Sequence, residues 1–236
     1  MKKIIKAIRL LSGGTYRRGL AAGIGAAIEH ESFLRAVPFQ TLLDVGANKG
    51  QFTLAARAAR PGADIISFEP LAADAARFTK LFEGDSLVRL MPFALGSEDG
   101  ESVIHVSGRS DSSSLLKIGA LQSTVFPGTE AVGNQRILLR KLDSMDVLDQ
   151  ARGPVLLKMD VQGFELEVLK GAVLSLSRID HVYVELSFIP LYEGQPLASE
   201  VIAWLAAHGF ALGGVYHIAC RRDGTAVQAD FHFRRA

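Results

Sequence analysis

A single cysteine, Cys220, stands in 236 residues, so neither an internal disulfide nor a multi-cysteine zinc site can form, and a reducing, cytoplasmic setting is expected. An excess of one charge is also missing. Lys and Arg number 26 against 25 Asp and Glu, for a formal net charge of +1, so no global field steers a polyanion and no nucleic-acid partner is expected. Hydrophobic residues make up 48% of the chain, yet charges interrupt them, and neither the unbroken apolar core of a signal peptide nor a spanning helix is present. Internal repeats and low-complexity tracts are absent as well. So are the G-x-G-x-x-G spacing of a dinucleotide fingerprint and the G-K-[ST] ending of a phosphate loop.

The N-terminus is basic, with Lys2, Lys3, Lys6, Arg9, Arg17 and Arg18 and no acid before Glu29. Ile4, Ile5, Ile8 and Leu11 recur at helical spacing, which predicts an amphipathic helix packed on the domain; weak contact with an anionic membrane surface is the alternative. We divide the chain into an N-terminal helical segment at 1–40, packing on or covering the core, and one α/β domain at 41–236.

Beyond residue 40, short apolar runs alternate with helical periodicity, the pattern of a mostly parallel sheet with crossover helices. Strands are predicted at 41–45, 64–68, 87–94, 101–106, 136–139, 155–159 and 181–186. Helices are predicted at 51–60, 72–82, 164–171 and 198–208. Two last strands, 210–217 and 227–233, flank Asp223-Gly224 as an antiparallel hairpin. The stretch 107–133 is too long for a plain connection, and Ser110 to Ser114 with Asp111 reads either as a lid on the substrate side or as a loop without contacts.

The chemistry concentrates at strand ends. The first strand runs into Asp44-Val45-Gly46-Ala47-Asn48-Lys49-Gly50 directly before a helix, where glycines admit close backbone approach and the helix offers free N–H groups. Asp44 suits a cofactor bearing an amine. Glu69, in Phe68-Glu69-Pro70 at the next strand's tip, suits the hydroxyls of a ribose.

Read in order, these residues resemble the FkbM methyltransferase family, a branch of the Rossmann-like S-adenosylmethionine enzymes. The resemblance runs through D-V-G-A-N-K-G-Q at 44–51, F-E-P at 68–70, A-L-G at 94–96, S-S-S-L at 112–115, L-K-M-D-V-Q-G-F-E at 157–165, E-V-L-K-G at 167–171, V-E-L at 184–186 and P-L-Y-E-G-Q-P at 190–196. It implies S-adenosyl-L-methionine as cofactor, with Asp44, Gly46, Ala47, Asn48 and Gly50 around its methionine part. Glu69 and Pro70 would meet the ribose, Ala94 and Leu95 the adenine, and Asp160 would face both donor and acceptor. Gln162 departs from the Glu of many relatives, so no base is carried over to it. The implied activity is O-methylation of a sugar, glycan, glycolipid or related natural product.

Methyl transfer to an alcohol needs a proton acceptor. Asp160 is the first candidate, followed by Glu165 and His30, with Glu185 and His217 behind them. A divalent metal is a less favoured route, since no metal-ligand spacing is recognisable. Lys158 is expected on the opposite side of the strand from Asp160, as a structural partner. Glu29-His30-Glu31 reads as a solvated helix face more than a cover on the cofactor. Phe126, Phe164, Phe188, Tyr192 and Trp204 are aromatic candidates for stacking on a sugar, though core is their commoner fate. Two competing readings are an NAD-dependent oxidoreductase and a non-catalytic binding module on the same sheet.

Overall fold

Leu42 and Leu43 have no exposed surface, and all five residues of their strand are buried, as in a parallel sheet covered on both faces. The structure, a computed structural model, describes residues 14–236. Its strands are β1 (Thr41–Val45), β2 (Asp64–Phe68), β3 (Val88–Met91), β4 (Ala94–Leu95), β5 (Gly100–Ser107), β6 (Ala131–Arg140), β7 (Val155–Met159), β8 (His181–Ser187), β9 (Phe210–Cys220) and β10 (Ala226–Arg235). The helices are α1 (Gly14–Ala21), α2 (Glu31–Ala36), α3 (Gln51–Ala59), α4 (Ala72–Leu81), α5 (Ala120–Val125), α6 (Glu165–Lys170) and α7 (Ala198–Ala207).

The main sheet has the order β3-β2-β1-β7-β8-β10-β9, parallel except for β10, which is antiparallel to both of its neighbours. Leu42, Ile65 and Leu156 pack beneath Phe52, Ala55 and Ala56 of α3. Leu43, Val45, Ile66, Phe68, Leu157 and Met159 fill the opposite face. Each such side chain contributes about 1.5–3 kcal/mol on burial. Strand order reverses between β1 and β7, and in open α/β sheets ligands collect at the carboxyl ends of the strands at such a point. The architecture is thus the Rossmann-like one expected.

One predicted strand divides. Residues 87–94 form β3 and then β4, because Pro92, which has no N–H to donate, interrupts the ladder. β4 leaves the main sheet for a second one, ordered β4-β6-β5. The long connection 107–133 is structured, with a 3-10 turn at Ser110–Ser112 followed by α5. Asp223-Gly224 does turn the β9–β10 hairpin; Gly224 has φ +87 and the Thr225 N–H donates to Asp223 Oδ1 at 2.9 Å.

α1 lies tightly on α3, since a Cβ at Gly19 would stand 2.3 Å from Leu54 Cδ2. The predicted helix around Ile4, Ile5, Ile8 and Leu11, with its membrane alternative, lies outside the described residues. Among the described residues, no helix is long and apolar enough to cross a membrane.

Candidate active site

A cavity of about 740 Å³ opens at the carboxyl ends of β1, β2, β7 and β8, within the size range of small-molecule sites. The segment 25–30 lines one side, and Ser110, Asp111, Ser113 and Ser114 line another. The serine stretch is therefore a wall of the cavity. It is tied to the β1 turn by Lys49 Nζ, which donates to Ser110 Oγ at 2.9 Å.

The turn after β1 depends on Gly46. Its φ is +76, and a Cβ there would come within 2.0 Å of the Asp160 carbonyl oxygen, so only glycine lets the tips of β1 and β7 approach this closely. Ala47 and Asn48 follow on the cavity wall. Gly50 does not. A Cβ on Gly50 would meet the rings of Phe82 and Phe78 at 2.6 and 3.0 Å, and its φ is +94, so packing against α4 and the left-handed backbone both require glycine here.

Glu69 sits at the tip of β2 with 5% of its surface exposed. The backbone N–H of Asn48 donates to Oε2 at 2.8 Å and that of Leu71 to Oε1 at 2.7 Å. Each oxygen retains acceptor capacity. Burial pushes the carboxyl up to about 7, against the pull of the two N–H groups. Pro70, Ala94 and Leu95 continue the wall.

Asp44 lies behind the cavity and does not line it. It is fully buried, accepts from Thr53 Oγ1 at 2.6 Å and pairs with Lys158 Nζ at 2.9 Å. Asp44, expected to converge with Glu69 on one ligand, is turned toward Lys158 by the sheet. Lys158 itself was expected to face away from Asp160. Positions two apart on a strand share a face, and both residues line the cavity. Burial would drive the Lys158 pKa down, but Asp44, Asp160 and Glu185 outweigh it and hold it above the usual value.

Asp160 ends β7. Its Oδ1 accepts from Gln162 Nε2 at 2.6 Å, and the same nitrogen donates to Glu185 Oε2 at 3.0 Å. The Tyr192 hydroxyl donates to Gln162 Oε1 at 2.7 Å and so sets the amide's orientation. A glutamate at 162 would have no proton to offer its two acidic neighbours when ionised. Burial raises the Asp160 pKa, opposed by Lys158, and burial with Asp160 and Asp230 raises that of Glu185 well above the usual range.

Glu165, an expected proton acceptor, is engaged with the backbone. Its Oε1 accepts the N–H groups of Val161 at 3.2 Å and Gly163 at 3.1 Å, so it shapes the turn after β7 and is not on the wall. His30 does line the cavity, with Nδ1 2.9 Å from the Tyr183 hydroxyl, so its cluster is more than a solvated face. None of Phe126, Phe164, Phe188, Tyr192 and Trp204 lines it. Sequence reading missed Lys158, Tyr183 and Asp230 as lining residues. Strand alternation carried the signal, since Tyr183 and Glu185 share a parity and Asp230 pairs with Glu185 across β8 and β10. Among the described residues, the non-glycine positions with positive φ are Asn48, Gln162 and His217, and all line this cavity. Backbone strain of this kind gathers at functional sites.

These features fit an adenosyl cofactor: a buried acceptor at a strand tip, an apolar wall beside it, and a glycine turn that leaves the crevice open. A mostly parallel sheet with this crevice at its switch point defines the class as that of the Rossmann-like S-adenosylmethionine-dependent methyltransferases. The profile of the Methyltransferase FkbM domain matches residues 44–212, and the chain belongs to that family. It is 28% identical over 164 residues to the 2-O-methyltransferase NoeI of Sinorhizobium fredii (strain NBRC 101917 / NGR234), covering 67% of this chain and 68% of NoeI. Among solved structures, Sp1610 of Streptococcus pneumoniae, in complex with S-adenosyl-L-methionine, is similar in fold, with a TM-score of 0.50 at 12% identity over 88% of this chain and 72% of that one. The magnesium protoporphyrin IX methyltransferase ChlM of Synechocystis PCC 6803, with bound SAM, gives a TM-score of 0.47 at 11% identity over 100% and 97% of the two chains.

Proposed function

We propose that this chain is an O-methyltransferase that methylates a hydroxyl of a sugar, glycan, glycolipid or related natural product. The observation that carries this reading is the acidic wall. Glu29, Glu69, Asp111, Asp160, Glu185 and Asp230 line the cavity against Lys158. Carboxylates accept hydrogen bonds from sugar hydroxyls and can take a proton from one of them, whereas they repel the phosphates of a nucleic acid. The name of NoeI, a 2-O-methyltransferase, points the same way.

S-adenosylmethionine, when bound, supplies an electrophilic methyl group on its sulfonium. Glu69 and Pro70 would hold its ribose, Ala94 and Leu95 its adenine, and Gly46, Ala47 and Asn48 the methionine end. Asp160 accepts the acceptor's hydroxyl proton, while Gln162 keeps Asp160 and Glu185 in place by donating to both. Holding the reactants in line accounts for about 7–11 kcal/mol of acceleration in well-oriented systems.

Glu69 yields a pH prediction. Ribose hydroxyls donate to the ionised carboxylate, and the free site titrates at about 7. Protonation competes with binding, so affinity for S-adenosylhomocysteine should be greatest above that value and fall by about tenfold per unit below it. In calorimetry, Glu69→Gln should bind more weakly at pH 8 and lose this dependence. A parallel slope in the variant would remove Glu69 from the ribose site.

Transfer of labelled methyl to free sugars and glycan extracts tests the reaction itself. Label should appear in an alkali-stable ether, and titration with NADH should show no binding. Absence of transfer to every hydroxylated acceptor, with cofactor still bound, would favour a binding module instead.

A further inference from the structure

We propose that His30, His217 and Asp230 form a binding site for one divalent transition-metal ion of zinc-like chemistry, on the same cavity wall as Asp160. One ligand atom from each of His30, His217 and Asp230 lies within 4.8 Å of the other two. The carboxylate oxygen is 2.8 Å from His217 Nδ1 and 3.5 Å from His30 Nδ1. Tetrahedral ligands about 2.0–2.2 Å from an ion stand roughly 3.3–3.6 Å apart, so small rotations of these side chains make a nest for one. The Tyr183 hydroxyl donates to Asp230 Oδ2 at 3.1 Å and orients it.

Two further features point to a ligand. His217 Nε2 donates to the Glu29 carbonyl oxygen at 3.0 Å, which leaves Nδ1, 2.8 Å from Asp230 Oδ2, as the nitrogen whose proton an ion bound there would displace. Ligating histidines commonly use their second nitrogen in this way. His217 also has φ +47, in the left-handed region, where β9 bulges: Asp230 pairs with Tyr216 and Gln228 with Ala219, so two residues of β9 oppose one of β10. Bulges next to active sites re-aim side chains, and this one carries the backbone strain needed to bring His217 onto Asp230.

Two imidazoles and one carboxylate select Zn²⁺, Co²⁺ or Mn²⁺ over Mg²⁺ or Ca²⁺, which prefer all-oxygen shells. An ion here would lower the pKa of an acceptor hydroxyl coordinated to it, and that hydroxyl's proton would pass to Asp160. Metal binding itself does not depend on the methyltransferase reading, and the test uses no methyl donor.

Chelator-treated protein, free of any histidine tag, is titrated with Co²⁺. One saturable equivalent with visible absorption is expected, displaced by Zn²⁺. His217→Ala and Asp230→Asn should each weaken it by about tenfold or more. His181→Gln should retain it, although His181 Nδ1 lies 3.2 Å from His232 Nε2 in a separate histidine pair. If a variant fails to fold, the wild type decides: Zn²⁺ should raise its melting temperature and chelator should reverse the rise. No saturable binding and no zinc-dependent melting shift, undiminished binding in both variants, or loss of binding in His181→Gln would overturn the site. S-adenosylhomocysteine affinity measured in chelator keeps a failure here distinct from a failure of the cofactor site.

Discussion

Asp44→Ala is expected to cost about 3–5 kcal/mol of folding stability, because it strands a buried ammonium. Lys158 Nζ lies 2.9 Å from Asp44 Oδ1, and the two side chains are 7% and 0% exposed. Without the carboxylate, Lys158 keeps the Gly46 carbonyl at 3.0 Å, the face of Phe52 at 5.3 Å and the fields of Asp160 and Glu185, but loses its ion-pair contact with Asp44. Thr53 would lose its acceptor at 2.6 Å as well. Urea denaturation should show a lower midpoint at an unchanged slope. Adding Lys158→Met should recover more than half of the loss, since the stranded charge is then gone. A stable Asp44→Ala with selectively weakened cofactor binding would instead return Asp44 to the ligand.

The second large effect belongs to Asp160. Asp160→Asn keeps an oxygen to accept from Gln162 but cannot take a proton, so turnover should fall by about 10²–10⁴. Affinity for S-adenosylhomocysteine should stay within about threefold, because the loss falls on proton transfer. Wild-type activity should vanish as pH falls through a value above the ordinary aspartate range, the direction in which burial moves this group. Full turnover in Asp160→Asn would leave Glu185 as the better-placed base, since the same amide nitrogen reaches it at 3.0 Å.

Both experiments separate roles that a motif alone merges. D-V-G-A-N-K-G reads as one cofactor turn, yet its members divide three ways: Ala47 and Asn48 line the cavity, Gly50 faces Phe78 and Phe82, and Asp44 faces Lys158. The L-K-M-D-V-Q-G-F-E run divides similarly, with Lys158, Asp160 and Gln162 on the wall and Glu165 holding the backbone of the turn.

What the sequence determined by itself is therefore local. Strand and helix periodicity, the glycine turn, the acid at the tip of β2 and the hairpin at Asp223-Gly224 are set by neighbours a few residues away, and they were legible without coordinates. The ordered motifs also sufficed to identify the family. Only the tertiary structure decided which side of a strand tip faces solvent, because that depends on which strand lies alongside. β7 beside β1 gives Asp44 a lysine partner, and the carbonyl of Asp160 presses on Gly46. The meeting of His30 with His217 and Asp230 was equally out of reach. It joins the N-terminal arm to a bulged C-terminal hairpin, and no local periodicity encodes a contact between segments so distant in the chain.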